Sequence, residues 1–268
     1  MVETAAVSKD LETLFVTEES QVKPATNASF PRLYGHTLCP YVEKVRLALA
    51  ARNVQYQKCD VDLGKKTAWH IGINGGLVPV WETPDGTILT ESKVLMEYAE
   101  EAYPTQGYSL LPADPVVRAK MRLGIALTEA LGPVYFPIYL KKATNEEEVK
   151  PLKEKIQKIE DFIAANGNDT SPYAIGTENP TQLDIHIYVH LVRVAMMEGS
   201  AFHDSIFVHV KFNDYPRIQK LIAAIRARPE FKSTLASTKA QHAFLAKFAE
   251  KPANERVQLY LPCDNDEE

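Results

Sequence analysis

Residues 37–47 read Thr37-Leu38-Cys39-Pro40-Tyr41-Val42-Glu43-Lys44-Val45-Arg46-Leu47. A short apolar segment, residues 30–34, precedes them and ends at Gly35, and the spacing predicts that a helix begins at Cys39. Pro40 favours this start because its φ is already helical and it has no N–H to leave unpaired. The sequence therefore predicts a strand, a turn and a helix with a cysteine at its N-terminus.

Cys39 is the candidate reactive residue. A thiol at a helix N-terminus faces free backbone N–H groups and the positive end of the helix dipole, which predicts a pKa below the roughly 8.5 of a free cysteine. Val42 stands three residues later, where a second cysteine would allow an internal disulfide. A lone thiolate instead forms a mixed disulfide with an external thiol, for which glutathione is the obvious candidate. The alternative is an inert core cysteine.

The composition is that of an ordinary globular protein. The chain has 268 residues, 45% hydrophobic and 24% charged, enough for two domains. A net charge of −5 without a basic run disfavours nucleic-acid binding. No apolar stretch approaches the roughly 18 residues of a membrane span, and the first twenty residues are too acidic for a leader peptide. The three cysteines, Cys39, Cys59 and Cys263, are too few for a disulfide framework, so we expect a cytoplasmic protein.

The first half of the chain alternates strand and helix signals. Residues 54–61 predict a second strand, parallel to the first because a helix connects the two. Residues 77–82 and 87–90 flank the turn at residues 83–86 and predict a hairpin. Glu91 and Ser92 then open a further helix. The order βαβ, α, ββα is typical of a thioredoxin-like domain.

The second half lacks strand signals. Residues 103–115 contain three prolines and a glycine, as in a linker, and amphipathic helical segments follow. Thr181 and Asp184 form a capping box before an apolar run. We therefore predict an α/β thioredoxin-like N-terminal domain plus an all-α C-terminal helical domain. The predicted boundaries are a flexible N-terminal extension at 1–28, the thioredoxin-like domain at 29–104, a linker at 105–114, the helical domain at 115–250 and an acidic tail at 251–268.

Two dipeptides extend the pattern around Cys39. Pro79 opens a strand, and a cis Val78-Pro79 bond would turn the Val78 backbone outward, where an extended tripeptide could pair with it. Glu91-Ser92 lies at a helix start that can bind a carboxylate, with a hydroxyl donor on Ser92 and a carboxylate on Glu91 for an ammonium group. Taken singly, Val78-Pro79 is typical of an ordinary edge-strand proline, and Glu91-Ser92 is typical of a simple N-cap. The order and spacing of all three elements are far more specific.

With these elements in this order, the sequence resembles the cytosolic glutathione transferases, most closely the omega class, from about residue 31 to residue 248. Other segments that resemble the family are Arg46-Leu47, Ala102-Tyr103-Pro104, Leu110-Leu111-Pro112 and the capping box. The sequence departs from the family at Asn74-Gly75-Gly76, where an Asn-Pro turn is usual. The resemblance implies a glutathione cosubstrate, no metal and a homodimer.

The resemblance also implies roles for individual residues. Cys39 would be the nucleophile that forms a mixed disulfide with glutathione. Val78 would hold the cysteinyl backbone beside a cis Pro79, and Glu91 and Ser92 would hold the γ-glutamyl end.

The remaining implied contacts lie around these. Leu38 and Tyr41 would flank the sulfur, and Lys66 would lie near glutathione, although a solvated surface lysine is an equal alternative. A cosubstrate pocket between the domains would have aromatic walls, with core packing as their commoner role. The candidate walls are Tyr135, Tyr139 and Tyr188.

The reaction expected is thiol transfer: reduction of mixed disulfides, deglutathionylation of proteins, or reduction of dehydroascorbate. One alternative is glutathione conjugation to electrophiles, with Tyr34 as a second-ranked donor. Another is a non-enzymatic binding protein like the chloride intracellular channel proteins. A zinc site at His186 and His190, four residues apart, is disfavoured because zinc needs three or four ligands.

Overall fold

A mixed five-stranded sheet forms the first half of the protein. The computed structural model describes residues 11–129, 131–141, 145–203 and 208–250, and only the backbone of residues 136, 137, 139–141 and 248. The strands are β1 (Leu14–Val16), β2 (Arg32–Gly35), β3 (Gln57–Val61), β4 (Val80–Glu82) and β5 (Ile88–Thr90). Their spatial order is β1-β3-β2-β4-β5, with β1, β3 and β2 parallel and β4 and β5 antiparallel. The connecting helices are α1 (Pro40–Ala51), α2 (Ala68–Asn74) and α3 (Ser92–Ala102).

Helices make up the second half. They are α4 (Pro115–Thr128), α5 (Leu131–Lys141), α6 (Glu146–Asn166), α7 (Gln182–Ala195), α8 (Pro216–Ala227) and α9 (Thr238–Glu250). The predicted fold, a thioredoxin-like unit followed by a helical one, is confirmed. No helix within the described ranges is long and apolar enough to cross a bilayer.

The predicted extension at residues 1–28 differs in part from the structure. Residues 14–16 form β1, which pairs in parallel with β3 along the edge of the sheet. Val16 is buried in a cluster with Tyr34, Cys59 and Val61, and the Trp69 indole donates a hydrogen bond to the Ser20 carbonyl at 2.8 Å. This apolar burial orders the segment, although three residues are too few to show a strand period. Residues 1–10 and the predicted acidic tail, 251–268 with Cys263, lie outside the described residues.

Helix α1 lies between the two halves of the molecule. It contacts α3 on one side and α7 on the other, and nearly all of its residues are buried. Burial on both sides leaves its charged residues dependent on partners within the protein. Arg52, just after the helix, pairs with Glu100 of α3, and Glu43 in its first turn pairs with Arg193 of α7.

The predicted capping box begins α7. Asp184 accepts hydrogen bonds from the amide and hydroxyl of Thr181, both at 2.7 Å, and from the Ala174 amide at 2.7 Å. The buried carboxylate thus fixes where α7 begins. This in turn sets the residues of α7 that face α1.

Candidate functional site

The strand register brings three predicted elements to one end of the sheet. The last residues of β2 lie opposite the first residues of β4, which lie opposite the last residues of β5. Cys39 follows β2 after a short turn, Val78-Pro79 directly precedes β4, and Glu91-Ser92 directly follows β5. Segments separated by up to 52 residues in the sequence therefore lie at one end of the sheet.

Cys39 is the N-cap residue of α1, as predicted. Its backbone is extended, with φ −74° and ψ 121°, and Pro40 is the first helical residue. The Cys39 amide donates to the His36 carbonyl at 3.0 Å, and the Cys39 carbonyl accepts the Glu43 amide at 3.0 Å. The residue is partly exposed, so a small molecule can approach it.

The predicted lowering of the Cys39 pKa was wrong for this structure. Burial raises the pKa of the thiol above its ordinary value. The amides of Val42 and Tyr41, and then the charges of Arg193 and Lys44, act in the opposite direction without cancelling that effect. The helix start does favour the thiolate, but the sequence does not show how much water the packing of the two halves removes.

Cys59 provides a contrast within the same sheet. It lies fully buried on β3, and burial raises the pKa of its thiol to about 12. A thiol that neither ionises nor meets solvent is chemically inert. Among the cysteines in the described part of the chain, Cys39 is therefore the reactive candidate.

The other predicted glutathione contacts differ in exposure. The Val78-Pro79 bond is cis, with Val78 partly exposed and Pro79 buried. Leu38 is buried, whereas Tyr41 is 40% exposed.

The predicted contact Lys66 is half-buried. Its stem passes Gly76 so closely that a Cβ there would lie 2.6 Å from the Lys66 Cδ. Gly76 also has φ +70°, a backbone conformation that residues with a side chain rarely adopt, so this position favours glycine.

Glu91 has an unusual backbone. It caps α3 with φ 70° and ψ 110°, a region that costs a non-glycine residue conformational energy. Its side chain is exposed, and the next residue, Ser92, is buried at the helix start. The strained backbone leaves the Glu91 carboxylate in solvent beside the positive end of α3.

The predicted pocket walls are less open than expected. Tyr135 is buried, with its hydroxyl 3.4 Å from Nδ1 of His190, and Tyr188 is fully buried in the core. For Tyr139 only the backbone is described. The ring centroids of Tyr41 and His190 lie 5.8 Å apart in an edge-to-face contact, so the exposed Tyr41 ring packs against this buried group.

Tyr34 and the histidine pair occupy core positions. The Tyr34 hydroxyl donates to Glu82 at 2.8 Å, and burial raises the pKa of the phenol, which agrees with its second rank as a donor. His186 and His190 are both buried. Within the described residues, no group of three or more His, Cys, Asp or Glu side chains could hold a metal ion.

Arg193, which no sequence motif indicated, connects α7 to the Cys39 turn. Its Nε and Nη2 donate to the Leu38 carbonyl at 3.2 and 2.8 Å, and its Nη1 donates to Glu43 at 2.6 Å. Arg193 is the one Arg or Lys in residues 185–197, a mostly apolar run, and this was the available signal because a charge there requires a buried partner.

Comparison with known proteins identifies the class first. Residues 33–107 match the family model described as "Glutathione S-transferase, N-terminal domain". This part of the chain thus resembles a glutathione transferase N-terminal domain, the helices that follow it complete the fold of that class, and the resemblance to the omega class is confirmed.

The chain is also similar to particular glutathione transferases in sequence and in structure. The chain is 34% identical to glutathione S-transferase omega-1 of Sus scrofa over 128 residues, which is 47% of this chain and 52% of the pig protein. The chain thus spans about half the length of that relative. It is 26% identical to the Mus musculus omega-1 protein over 62% of this chain and 68% of that one. The structure resembles glutathione transferase Omega 1C of Trametes versicolor with a TM-score of 0.68, 24% identity, and coverage of 82% and 97% of the two chains.

Proposed function

We propose that this protein is a glutathione-dependent thiol transferase with Cys39 as its nucleophile. The observation that carries this proposal is the position of Cys39. The residue is partly exposed at the start of α1, on the same sheet end as Val78 and the Glu91-Ser92 helix start. Val42 is an apolar, buried residue where a resolving cysteine would stand. An external thiol must therefore resolve any disulfide on Cys39.

Glutathione fits the groups gathered at this edge. The start of α3 offers free N–H groups to its α-carboxylate, and the exposed Glu91 carboxylate can pair with its ammonium group. An extended cysteinyl backbone can pair with Val78, as an added strand would. Lys66 is half-buried, and its ammonium group can pair with the second carboxylate of glutathione. Leu38 and Tyr41 then flank the sulfur.

The chemistry consists of two thiol–disulfide exchanges. The Cys39 thiolate attacks the glutathione sulfur of a mixed disulfide, the old S–S bond breaks, and the acceptor leaves as a thiolate that takes a proton. A second glutathione thiolate attacks the glutathione sulfur bound to Cys39, which releases glutathione disulfide and restores the Cys39 thiolate. Each turnover thereby oxidises one glutathione thiol and reduces the acceptor to its thiol, because the other half of the released glutathione disulfide comes from the mixed disulfide. Small disulfides and glutathionylated proteins are the proposed acceptors, and dehydroascorbate is a further oxidant that takes two electrons.

The test is glutathione-dependent reduction of the mixed disulfide between glutathione and 2-mercaptoethanol. Cys39→Ser should abolish it, while Cys59→Ser, a change at a buried and unreactive thiol, should retain it. Mass spectrometry after exposure to glutathione disulfide should find one adduct on the Cys39 peptide. Undiminished turnover by Cys39→Ser would refute the assignment.

Two alternatives are separated by the same variants. If the protein conjugates glutathione to electrophiles, Cys39→Ala should retain or gain activity towards an electrophile such as 1-chloro-2,4-dinitrobenzene. If it is a binding protein, it should bind glutathione and turn over neither substrate.

A homodimer is also proposed. Val116, Leu123 and Leu127 share one face of α4 at helical spacing and remain exposed, and Val94 of α3 is exposed as well. Exposed apolar faces of this kind are typical of interaction surfaces. Light scattering during gel filtration should give twice the chain mass of 30.0 kDa.

A further inference from the structure

Arg193 reaches from the helical half of the protein to the peptide that precedes Cys39. We propose that Arg193 is a positioning residue for Cys39: by holding the Leu38 carbonyl it fixes the sulfur at the start of α1, and its charge favours the thiolate. This inference rests on the proposed role of Cys39 as nucleophile.

The Leu38–Cys39 peptide is held at both of its polar atoms. The Leu38 carbonyl accepts two hydrogen bonds from Arg193, at 2.8 and 3.2 Å. The Cys39 amide on the other side of the same peptide donates to the His36 carbonyl at 3.0 Å. A peptide plane fixed at both ends cannot rotate without breaking these bonds. The direction of the Cys39 side chain is set accordingly.

Arg193 is itself anchored. Besides Leu38, it donates to the Glu43 carboxylate and to the Val189 carbonyl, both at 2.6 Å, so its guanidinium makes four hydrogen bonds. Glu43 has its second carboxylate oxygen bonded to the Ala236 amide at 3.0 Å. Arg193 and Glu43 are 3% and 0% exposed, so neither charge can turn to solvent instead.

The charge of Arg193 acts on the sulfur as well. Burial alone would lower the pKa of Arg193, but the nearby Glu43 carboxylate raises this pKa, so the guanidinium stays charged. Burial raises the pKa of Cys39, and Arg193 is one of the charges that oppose the rise. The other titratable groups that face the sulfur are Lys44 and Tyr41 on α1 and Tyr135 on α5.

A matched control exists at the other end of α1. Arg52 pairs with Glu100 and donates to the carbonyls of Pro104 and Gln106 at 3.2 and 3.3 Å, so it too is a buried arginine bonded to a glutamate and to backbone. Thirteen residues of helical rise place it about 20 Å from Cys39. Its removal should cost similar stability without touching the sulfur.

The experiment compares Arg193→Gln, Arg193→Lys and Arg52→Gln. The first readout is the rate of Cys39 alkylation by iodoacetamide from pH 6 to 10, measured on the Cys39 peptide. The second is kcat and KM for the mixed disulfide.

Arg193→Gln should move the alkylation profile to higher pH and lower alkylation near neutrality about tenfold, one pKa unit. Arg193→Lys keeps the charge but not the two-bond hold on Leu38, so its profile should stay close to the original while kcat falls. Arg52→Gln should lower the melting temperature and leave profile and kcat unchanged.

The proposal would be overturned if both Arg193 variants kept the original alkylation profile and kcat. It would also be overturned if Arg52→Gln changed these two quantities as much as Arg193→Gln does. Should Arg193→Gln fail to fold, the kcat of Arg193→Lys decides the question. Alkylation needs no catalytic turnover. If the protein shows no thiol transfer, the proposed function is refuted, but the alkylation profiles still test the role of Arg193.

Discussion

Gly35 is the residue where the smallest substitution should have a large effect. It ends β2 directly beneath Val42 in the first turn of α1, and an added Cβ would lie 2.5 and 2.7 Å from the two Val42 methyl carbons and 3.2 Å from its Cβ. Ordinary contacts begin near 3.4 Å. Gly35→Ala therefore requires α1 to move outward by about 1 Å, which at the usual cost of overpacking lowers the free energy of unfolding by about 1–3 kcal/mol.

Thermal unfolding with a matched glycine tests this reasoning. Gly72 lies within α2 with nothing within 4 Å of the site of a Cβ, so Gly72→Ala should stabilise the protein by up to about 1 kcal/mol through helix propensity. At about 2–4 °C per kcal/mol, the two variants should shift the midpoint in opposite directions.

A double substitution isolates the contact. Val42→Ala removes both methyl carbons that the new Cβ would meet, so Gly35→Ala with Val42→Ala should cost less than the sum of the single changes. Strict additivity, or a Gly35→Ala variant as stable as Gly72→Ala, would refute the argument.

Three further results are expected. Alkylation of Cys39 should keep rising above about pH 8.5, because burial raises the pKa of the thiol, and a plateau near neutrality would contradict this; Cys59 should stay unmodified. Burial, together with the charge of a nearby lysine, lowers the pKa of Lys44 to about 8, so its ammonium group stabilises the Cys39 thiolate only below that pH. Lys44→Met should therefore slow alkylation of Cys39 about threefold at pH 7, which corresponds to half a pKa unit of the thiol, and change it little at pH 9.5. Equal slowing at both pH values would exclude this role for Lys44. Asp184→Ala leaves three donors without their acceptor and should lower the free energy of unfolding by about 2–3 kcal/mol in urea titrations; a loss well below 1 kcal/mol would show that water replaces the carboxylate.

Local signals in the sequence predicted much of the fold. The apolar spacing of α1, the hairpin turn before β5 and the capping box of α7 each depend on residues a few positions apart, and all three are present. The position of Cys39 as an N-cap follows from the adjacent proline for the same reason. Such features can be inferred because their partners are close in the chain.

Long-range partners account for what was missed. The Cys39 pKa depends on burial between two halves of the molecule, which no local pattern records. The partner of Glu43 is Arg193, 150 residues away, and neither residue belongs to a motif. Tyr188 met the aromatic criterion for a pocket wall, but its place on α7 turns it into the core.

Strand β1 has a consequence for self-association. It occupies the outer side of β3, so the backbone groups that β3 would otherwise present to another chain are already paired. A protein shortened to begin at residue 29 would leave that row of donors and acceptors open and could recruit a strand from a neighbouring molecule. The three residues of β1 thus replace the five-residue edge of β3 with a shorter one, which gives a neighbouring molecule less backbone to pair with, whatever the chemistry at Cys39.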